Sequence, residues 1–310
     1  MAEVSIAIVA YPDCLKSTVQ GLEEMFTLAS KLSRNSDIEA TTFVYQTLEW
    51  PETFETRASL PLFQVVILPP SLKRGFDMVS DPALSKWLRY QHQHGAILTS
   101  VCAGTFLLAH TGLLRHKKVT THWALVDTFQ DHFPGIALQS EAILINEGDI
   151  ISAGGMMSWV DLGLEIIAQQ ASPKLMRQLG KMLVVDTGQR EQRYYQQFVP
   201  NLTHGDVDII QLQHLIQDNC DQPLKITELA QRINTTVRTL QRRFTKATGL
   251  SPQLYIQRVR IQKACELLES SRQSFESIAG KVGYDDVGAC RKAFIKIIGL
   301  TPQAFRKRFG

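Results

Sequence analysis

The stretch Gly249-Leu-Ser-Pro-Gln-Leu-Tyr255 returns 50 residues later as Gly299-Leu-Thr-Pro-Gln-Ala-Phe305. An aromatic residue precedes both copies at the same spacing, Phe244 in the first and Phe294 in the second. Self-similarity at a fixed offset indicates a duplicated supersecondary unit. In each copy a glycine that ends one helix is followed by a proline that begins the next. We therefore predict two tandem helical units in the last third of the chain.

Charge is distributed unevenly along the 310 residues, whose net charge is +3. Residues 206–310 hold 17 Lys and Arg against 10 Asp and Glu, a net charge of +7, whereas residues 1–205 hold 16 against 20, a net charge of −4. The basic segment predicts a polyanionic partner. The five cysteines form no C-x-x-C pair, and no basic segment precedes the first apolar run. We expect a reduced, cytoplasmic protein with no metal site, secretory signal or membrane span.

The first half of the chain alternates short apolar runs with amphipathic helical patterns. Residues 4–10, 38–45, 63–68 and 96–100 predict buried strands, and residues 21–32 and 81–94 predict helices between them. This alternation predicts an α/β domain, a flavodoxin-like sandwich with a mostly parallel sheet and helices on both faces. We assign residues 1–188 to this domain, 189–205 to a polar linker without periodicity, and 206–310 to an all-α domain with helix-turn-helix motifs at 226–248 and 275–298.

Within the first helical unit, a short helix, a tight turn and a second helix follow one another. Val237, Leu240 and Phe244 fall on one face of the second helix, which leaves basic and hydroxyl side chains on the other. A helix with such a face can enter the major groove, where arginine recognises guanine edges. A solvated surface helix would show the same residues, but two such helices in a domain of net charge +7 favour DNA binding.

The duplicated segment resembles the AraC/XylS-type DNA-binding domain over residues 206–310. The resemblance rests on Ala230, Phe244, Gly283-Tyr284, Phe294 and the two Gly-Leu-Ser/Thr-Pro stretches. It implies two helix-turn-helix units joined by a long helix, which contact successive major grooves of promoter DNA. It maps base-contacting positions to Arg238, Gln241 and Arg242 in the first unit and to Gly288, Arg291 and Lys292 in the second.

Because Gly288 has no side chain, we expect the first unit to supply most sequence specificity and the second to contact mainly phosphate. The predicted DNA-binding residues are Thr235, Thr236, Arg238, Thr239, Gln241, Arg242, Lys246, Gly288, Arg291, Lys292 and Lys296.

A cysteine stands at a predicted strand-to-helix corner in Thr99-Ser-Val-Cys-Ala-Gly-Thr105. Amides at a helix N-terminus lower the pKa of a thiol and can donate to an oxyanion, so Cys102 is a candidate nucleophile. A small buried apolar side chain is the alternative role for a lone cysteine. His122, in Thr120-Thr-His-Trp123, is the candidate base.

With Thr120-Thr-His-Trp123 and Ser152-Ala-Gly-Gly155, Cys102 makes this half resemble the PfpI-like branch of the class I glutamine amidotransferase-like superfamily over about residues 4–185. With the helical half, the whole chain resembles the GlxA-type transcriptional regulators. The resemblance implies a first domain that senses a small molecule and dimerises, with ligand-contacting positions at Cys102, Ala103, His122, Gly154 and Gly155. Catalytic relatives place an acid at the position occupied here by Thr18, so Cys102 and His122 are expected to be vestigial.

We therefore predict a homodimeric transcriptional regulator, not an enzyme, that responds to a small effector. The resemblance implies a nitrogenous effector and makes RNA polymerase a candidate partner; no cofactor is expected. The alternative is a cysteine-dependent hydrolase or hydratase fused to a DNA-binding module, which the intact cysteine elbow favours and Thr18 disfavours.

Overall fold

A computed structural model of the protein describes residues 2–34, 40–51, 61–73, 81–188 and 191–310. The chain divides into two compact units, residues 1–192 and residues 193–310. Across the described ranges, no helix combines the length and apolar character needed to cross a bilayer.

The first unit is built on a six-stranded sheet in the order β2-β1-β3-β4-β8-β7, in which every neighbouring pair is parallel except β7–β8. A separate parallel pair is formed by β5 and β6. All four residues of β3 are buried, as expected for a parallel sheet that is covered on both faces. The strands are β1 (Ala2–Ala10), β2 (Thr41–Glu49), β3 (Val65–Leu68), β4 (Ile97–Val101), β5 (Lys118–Val119), β6 (Ala137–Leu138), β7 (Leu144–Asn146) and β8 (Ile150–Ala153).

Two groups of helices pack with this sheet. The first group consists of α1, α5 and α6, which contact one another, and the second includes α2 and α3. The helices are α1 (Lys16–Arg34), α2 (Pro82–Gln93), α3 (Gly104–Ala109), α4 (Val126–His132), α5 (Trp159–Gln170) and α6 (Pro173–Leu183). The predicted α/β architecture with a mostly parallel sheet is confirmed. The antiparallel pair of β7 and β8 forms one edge of the sheet.

Two boundaries in this unit differ from the sequence expectation. Helix α1 begins at Lys16, not at Gly21, because Thr18 and Val19 already face the interior. Gly21 lies within helix α1, and a Cβ at this position would overlap the Trp159 ring. The glycine thus permits a close helix contact and does not mark a helix start. The strand predicted at residues 38–45 lies at Thr41–Glu49; residues 38 and 39 fall outside the described ranges.

The second unit is all-helical around two hydrophobic cores that share one long helix, α10. Tyr255, Ile256 and Val259 of α10 belong to the first core, and Ile261 and Leu268 belong to the second. The helices are α7 (Val207–Asp218), α8 (Ile226–Arg232), α9 (Val237–Thr248), α10 (Pro252–Ser270), α11 (Phe275–Lys281), α12 (Val287–Ile298) and α13 (Pro302–Phe309). The predicted pair of helix-turn-helix motifs is therefore present as α8–α9 and α11–α12.

The repeated Gly-Leu-Ser/Thr-Pro stretches serve as helix punctuation. Gly249 and Gly299 have φ angles of 72° and 85°, the left-handed conformation that glycine adopts without strain. Each proline then occupies the first turn of the next helix, after an N-cap residue, Ser251 or Thr301, whose hydroxyl accepts a backbone N–H. The polar segment at residues 189–205, expected to lack regular structure, contains a short 3-10 helix at Gln192–Tyr195.

Candidate functional site

The first helix-turn-helix exposes the side chains predicted to contact bases. Leu240 and Phe244 of α9 are fully buried, so the opposite face of the helix is solvent-facing. Arg238, Gln241 and Arg242 lie on that exposed face. These side chains offer the donors and acceptors that recognise base edges in the major groove.

The hydroxyl residues at the start of α9 have a structural role. Thr236 is exposed and is the N-cap, and its Oγ1 accepts the N–H of Thr239 at 3.2 Å. Thr235 and Thr239 are half-buried, whereas Lys246 at the other end of the helix is exposed. Thr236 therefore caps the helix. Arg238, Gln241, Arg242 and Lys246 are exposed and make no side-chain hydrogen bond or ion pair with the residues that the structure describes.

A cavity of about 850 Å³ borders the same helix. Arg243 on its wall donates to both carboxylate oxygens of Asp206, at 3.0 and 2.6 Å, and to Asp208 at 2.8 Å. The hydrogen bonds from Arg243 lower the pKa of Asp206, and the two carboxylates raise the pKa of Arg243. Arg243, whose side chain is 32% exposed, is thus paired with two carboxylates, although the sequence shows it only as one of three adjacent polar residues. The cavity is lined by His204, Gly205, Asp206, Val207, Asp208, Arg242, Arg243, Lys246 and Ala247.

The second helix-turn-helix presents a different surface. Gly288, Arg291, Lys292 and Lys296 are exposed. The amide of Gly288 donates to the N-cap carboxylate of Asp286 at 2.8 Å, so this position contributes only backbone. Arg291 lies 3.7 Å from Glu276, and its guanidinium carbon is 5.4 Å from the Phe275 ring centroid. The predicted base-contacting arginine of this unit is therefore engaged within its own motif.

In the first unit, Cys102 lies at a strained corner between β4 and α3. It has a φ angle of 54°, uncommon for a non-glycine residue, and is only 4% exposed. Its N–H donates to the carbonyl of Ala153 at 2.7 Å, and its carbonyl accepts from the hydroxyl of Thr121 at 2.7 Å. The predicted elbow geometry is present.

Burial dominates the pKa of the elbow thiol. Burial raises the pKa of Cys102 to about 12, although the amides of Ala103 and His122 hydrogen-bond to the sulfur and lower the pKa in part. The two amides lower the pKa as expected, but the net pKa is raised because desolvation of the thiolate outweighs them. Sequence reasoning missed buried Tyr11, which donates to the carbonyl of Pro69 and whose pKa is raised by burial and by neighbouring Cys14 and Cys102.

The structure brings together three predicted site residues, since Ala103 and His122 both donate backbone hydrogen bonds to Cys102. Burial lowers the pKa of His122, whose Nδ1 accepts the N–H of Ala124 at 3.1 Å, so the ring is neutral near pH 7. Thr18, at the position where catalytic relatives place an acid, is fully buried, and its hydroxyl has no hydrogen-bond partner among the described residues. Those residues also contain no cluster of three or more metal-ligating side chains.

The two glycines predicted as ligand contacts have other neighbours. A Cβ on Gly154 would lie 2.3 Å from Nε2 of Gln192, so that side chain fills the space above the glycine. The amide of Gly155 donates to the hydroxyl of Ser158 at 3.0 Å. Gln192 is a residue that sequence reasoning missed, because it lies in a polar segment without periodicity.

The fold and these two sites define a protein in which a DJ-1/PfpI-type α/β domain is joined to a double helix-turn-helix domain. Residues 50–169 match the DJ-1/PfpI family, and residues 229–308 match the helix-turn-helix domain family. The HTH-type transcriptional regulator CdhR of Pseudomonas aeruginosa is 31% identical over 228 residues, which cover 73% of this chain and 67% of CdhR. The chain belongs to the family of HTH-type transcriptional regulators with an AraC-type DNA-binding domain, and it is a DNA-binding regulator of transcription.

A second regulator of the same organism, GbdR, is 27% identical over 225 residues, which cover 71% of this chain and 60% of GbdR. The crystal structure of DJ-1beta from Drosophila melanogaster has 16% identity and a TM-score of 0.47, and the match covers 60% of this chain and 100% of that one.

Proposed function

We propose that the first unit senses a small metabolite at the elbow site, defined as Cys102, Ala103, His122 and Thr18, and does not catalyse a reaction on it. The observation that carries this proposal is the buried elbow thiol with a threonine at the acid position. A nucleophilic cysteine needs its thiolate form and an oriented base. A thiol with a pKa of about 12 is protonated near pH 7, and the position at which catalytic relatives carry an acid is a threonine, Thr18.

The chemistry of the elbow site favours a small ligand that is polar and uncharged or weakly basic. The Cys102 thiol is neutral and the His122 ring is neutral, so neither group attracts a charged ligand by Coulomb attraction. The buried hydroxyl of Thr18 lacks a partner among the described residues, and a ligand N–H or carbonyl would satisfy it. These properties support a nitrogenous metabolite.

A thermal-shift screen of the full chain against amines, amino acids and ureides tests metabolite sensing. The expected result is one chemical class that raises the melting temperature of the wild type and has no effect on His122→Ala. The matched control is His132→Ala, which changes an exposed histidine of the same unit. If no compound stabilises the protein, or the same compound stabilises His122→Ala equally, metabolite sensing at this site is wrong.

The strained elbow is the observation that favours the alternative, a cysteine-dependent hydrolase or hydratase. Iodoacetamide alkylation of the native protein, followed by peptide mapping across pH, separates the two functions. For a sensor we expect Cys102 to react far more slowly than a free cysteine, with a rate that still rises above pH 9 because the pKa is about 12. An inflection near neutral pH would establish an activated thiolate and favour the enzyme.

For the second unit we propose unequal recognition of DNA: Arg238, Gln241 and Arg242 contact bases, while Lys292 and Lys296 contact phosphate. The exposed, unengaged side chains of α9 support this assignment, as does the Arg291–Glu276 contact. We further propose that the regulator acts as a homodimer in the cytoplasm and contacts RNA polymerase at the promoter. Light scattering of the purified chain tests the dimer, and a monomer at micromolar concentration would contradict it.

A further inference from the structure

Gln192, the last residue of the first unit, is almost fully buried at 3% exposure and has its side-chain amide fully engaged. Nε2 donates to the carbonyl of Thr121 at 2.8 Å, to the hydroxyl of Thr120 at 3.0 Å and to the carbonyl of Ala142 at 3.1 Å. Oε1 accepts the N–H of Trp123 at 3.3 Å. Unpaired polar atoms in the interior cost free energy. The four side-chain hydrogen bonds of Gln192 therefore hold the neighbouring backbone in one arrangement.

The segment to which Gln192 hydrogen-bonds, residues 120–123, also contributes His122 to the elbow site. Thr121 donates its hydroxyl to the carbonyl of Cys102, and the next residue, His122, donates its N–H to the Cys102 sulfur. Residues 120–123 are therefore bonded to Cys102 on one side and to Gln192 on the other. A ligand that moves His122 must strain or rearrange the hydrogen bonds of Gln192.

From the next residue onward, the chain belongs to the second unit and is fixed by that unit's own side chains. Arg308 lies over the ring of Tyr194, with 5.5 Å from its guanidinium carbon to the ring centroid, and Tyr195 packs edge-on against Phe309 at 5.4 Å. These contacts fix the start of the segment to helix α13.

Further along, the ring of Phe198 packs edge-on against Tyr255 at 5.2 Å, and its N–H donates to Gln262 at 3.0 Å. The segment 194–198 thus contacts both α13 and the shared helix α10. It does not behave as a free spacer.

We propose that Gln192 is a positioning residue that couples the elbow site to the DNA-binding unit through the docked segment 194–198. The proposal rests on the proposed role of the elbow site as a ligand site. Gln192 is held by residues 120–123, and only one residue, Arg193, separates it from the segment that packs on α10 and α13, so a displacement at either end is transmitted along the chain. Coupling between two sites is reciprocal, so DNA binding must also change the state of the elbow site.

The test uses the full chain, the DNA enriched by the wild type from a random pool, and no metabolite. Hydrogen exchange of the Trp123 amide is measured by mass spectrometry with and without that DNA. We expect DNA to change the exchange rate in the wild type by at least about fivefold, the lower end of typical allosteric coupling. Gln192→Met keeps the side-chain length but removes all four hydrogen bonds, so the ratio of the two rates should fall to about one.

The matched control is Gln197→Met, which makes the same chemical change at an exposed position of the same segment and should keep the wild-type ratio. Phe198→Leu loosens the segment from Tyr255 without touching the elbow site, so it should lower the ratio while leaving exchange without DNA unchanged. It also serves as the test variant if Gln192→Met does not fold.

A merely structural Gln192 would speed exchange at Trp123 but leave the DNA-dependent ratio intact, and that result overturns the proposal. An unchanged wild-type rate on DNA binding overturns it as well. Because no metabolite is added, either failure concerns the coupling alone, whereas metabolite sensing is judged by the thermal-shift screen.

Discussion

The two helix-turn-helix units share their interior and differ on their surface. Leu240 and Cys290 occupy equivalent buried positions, and Phe244 and Phe294 are both fully buried. Both second helices end at a glycine in the left-handed conformation. A duplicated unit must keep the residues that pack its helices together, whereas residues facing solvent are free to diverge. A repeated scaffold is therefore not evidence of a repeated function.

The two units differ at the contact between α11 and α12, the two helices of the second motif. The offset of 50 places Arg291 where the first unit has Gln241, and the offset of 49 places Glu276 where the first unit has Thr227. Gln241 and Thr227 are exposed, whereas Arg291 and Glu276 approach each other at 3.7 Å. The first surface is therefore free to contact DNA, and the second carries an internal competitor for its arginine.

The largest expected effect concerns the equivalent buried phenylalanines of the two helix-turn-helix units. Phe244→Ala and Phe294→Ala should each lower the free energy of unfolding of the second unit by about 3–5 kcal/mol, because each removes a fully buried ring. Urea unfolding followed by far-ultraviolet circular dichroism measures this loss. The four tryptophans lie in the first unit, so tryptophan fluorescence is the internal control and should show an unchanged transition. A loss below about 1 kcal/mol in either variant would break the equivalence of the two interiors.

The next effect tests the divergent surfaces. Arg242→Ala should weaken binding to the enriched DNA by about 1–3 kcal/mol and relax sequence preference at one base pair. Arg291→Ala should weaken binding less and leave the preferred sequence unchanged, because Arg291 is engaged by Glu276 and Phe275. Selection from random DNA with each variant measures the preference, and Arg177→Ala on the exposed face of α6 is the control. If Arg291→Ala relaxes specificity as much as Arg242→Ala, unequal recognition is wrong.

A smaller effect separates phosphate contact from base contact. Lys292→Ala should reduce the slope of log K against log salt concentration by about 0.9, the contribution of one neutralised phosphate, and should act equally on all sequences. Titrations at several salt concentrations measure the slope. Lys174→Ala, an exposed lysine of the first unit, should leave it unchanged. A sequence-dependent loss would instead assign Lys292 to base recognition.

Much of the fold follows from local patterns in the sequence. Apolar strand runs give the parallel sheet, and the Gly249 and Gly299 stretches locate the helix ends, because packing and capping depend on residues that are close in sequence. The exposed face of α9 is predictable for the same reason. These signals repeat at fixed periods or sit at fixed offsets, so a single chain displays them.

What the sequence does not reveal depends on contacts between distant residues. The state of the Cys102 thiol is set by how deeply the elbow is buried, which no local motif records. Gln192 is 72 residues from its partner Thr120, and Arg243 is 37 from its partner Asp206. Neither pair of contacting residues follows a regular spacing in the sequence. Gln192 and Arg243 therefore look like ordinary polar residues there.

The smallest predicted effect concerns the internal competitor itself. Glu276→Gln removes the carboxylate that faces Arg291 and should strengthen DNA binding by less than about fivefold, because an exposed ion pair holds its partners weakly. The gain should shrink at high salt, since screening already weakens the pair in the wild type. The reciprocal change, Thr227→Glu, places a carboxylate at the equivalent exposed position of the first unit and should weaken binding. If both substitutions lower affinity, Glu276 contacts DNA or supports its helix and does not compete for Arg291. If Glu276→Gln strengthens binding but Arg291→Ala cancels the gain, the competition between Glu276 and DNA for one guanidinium is established.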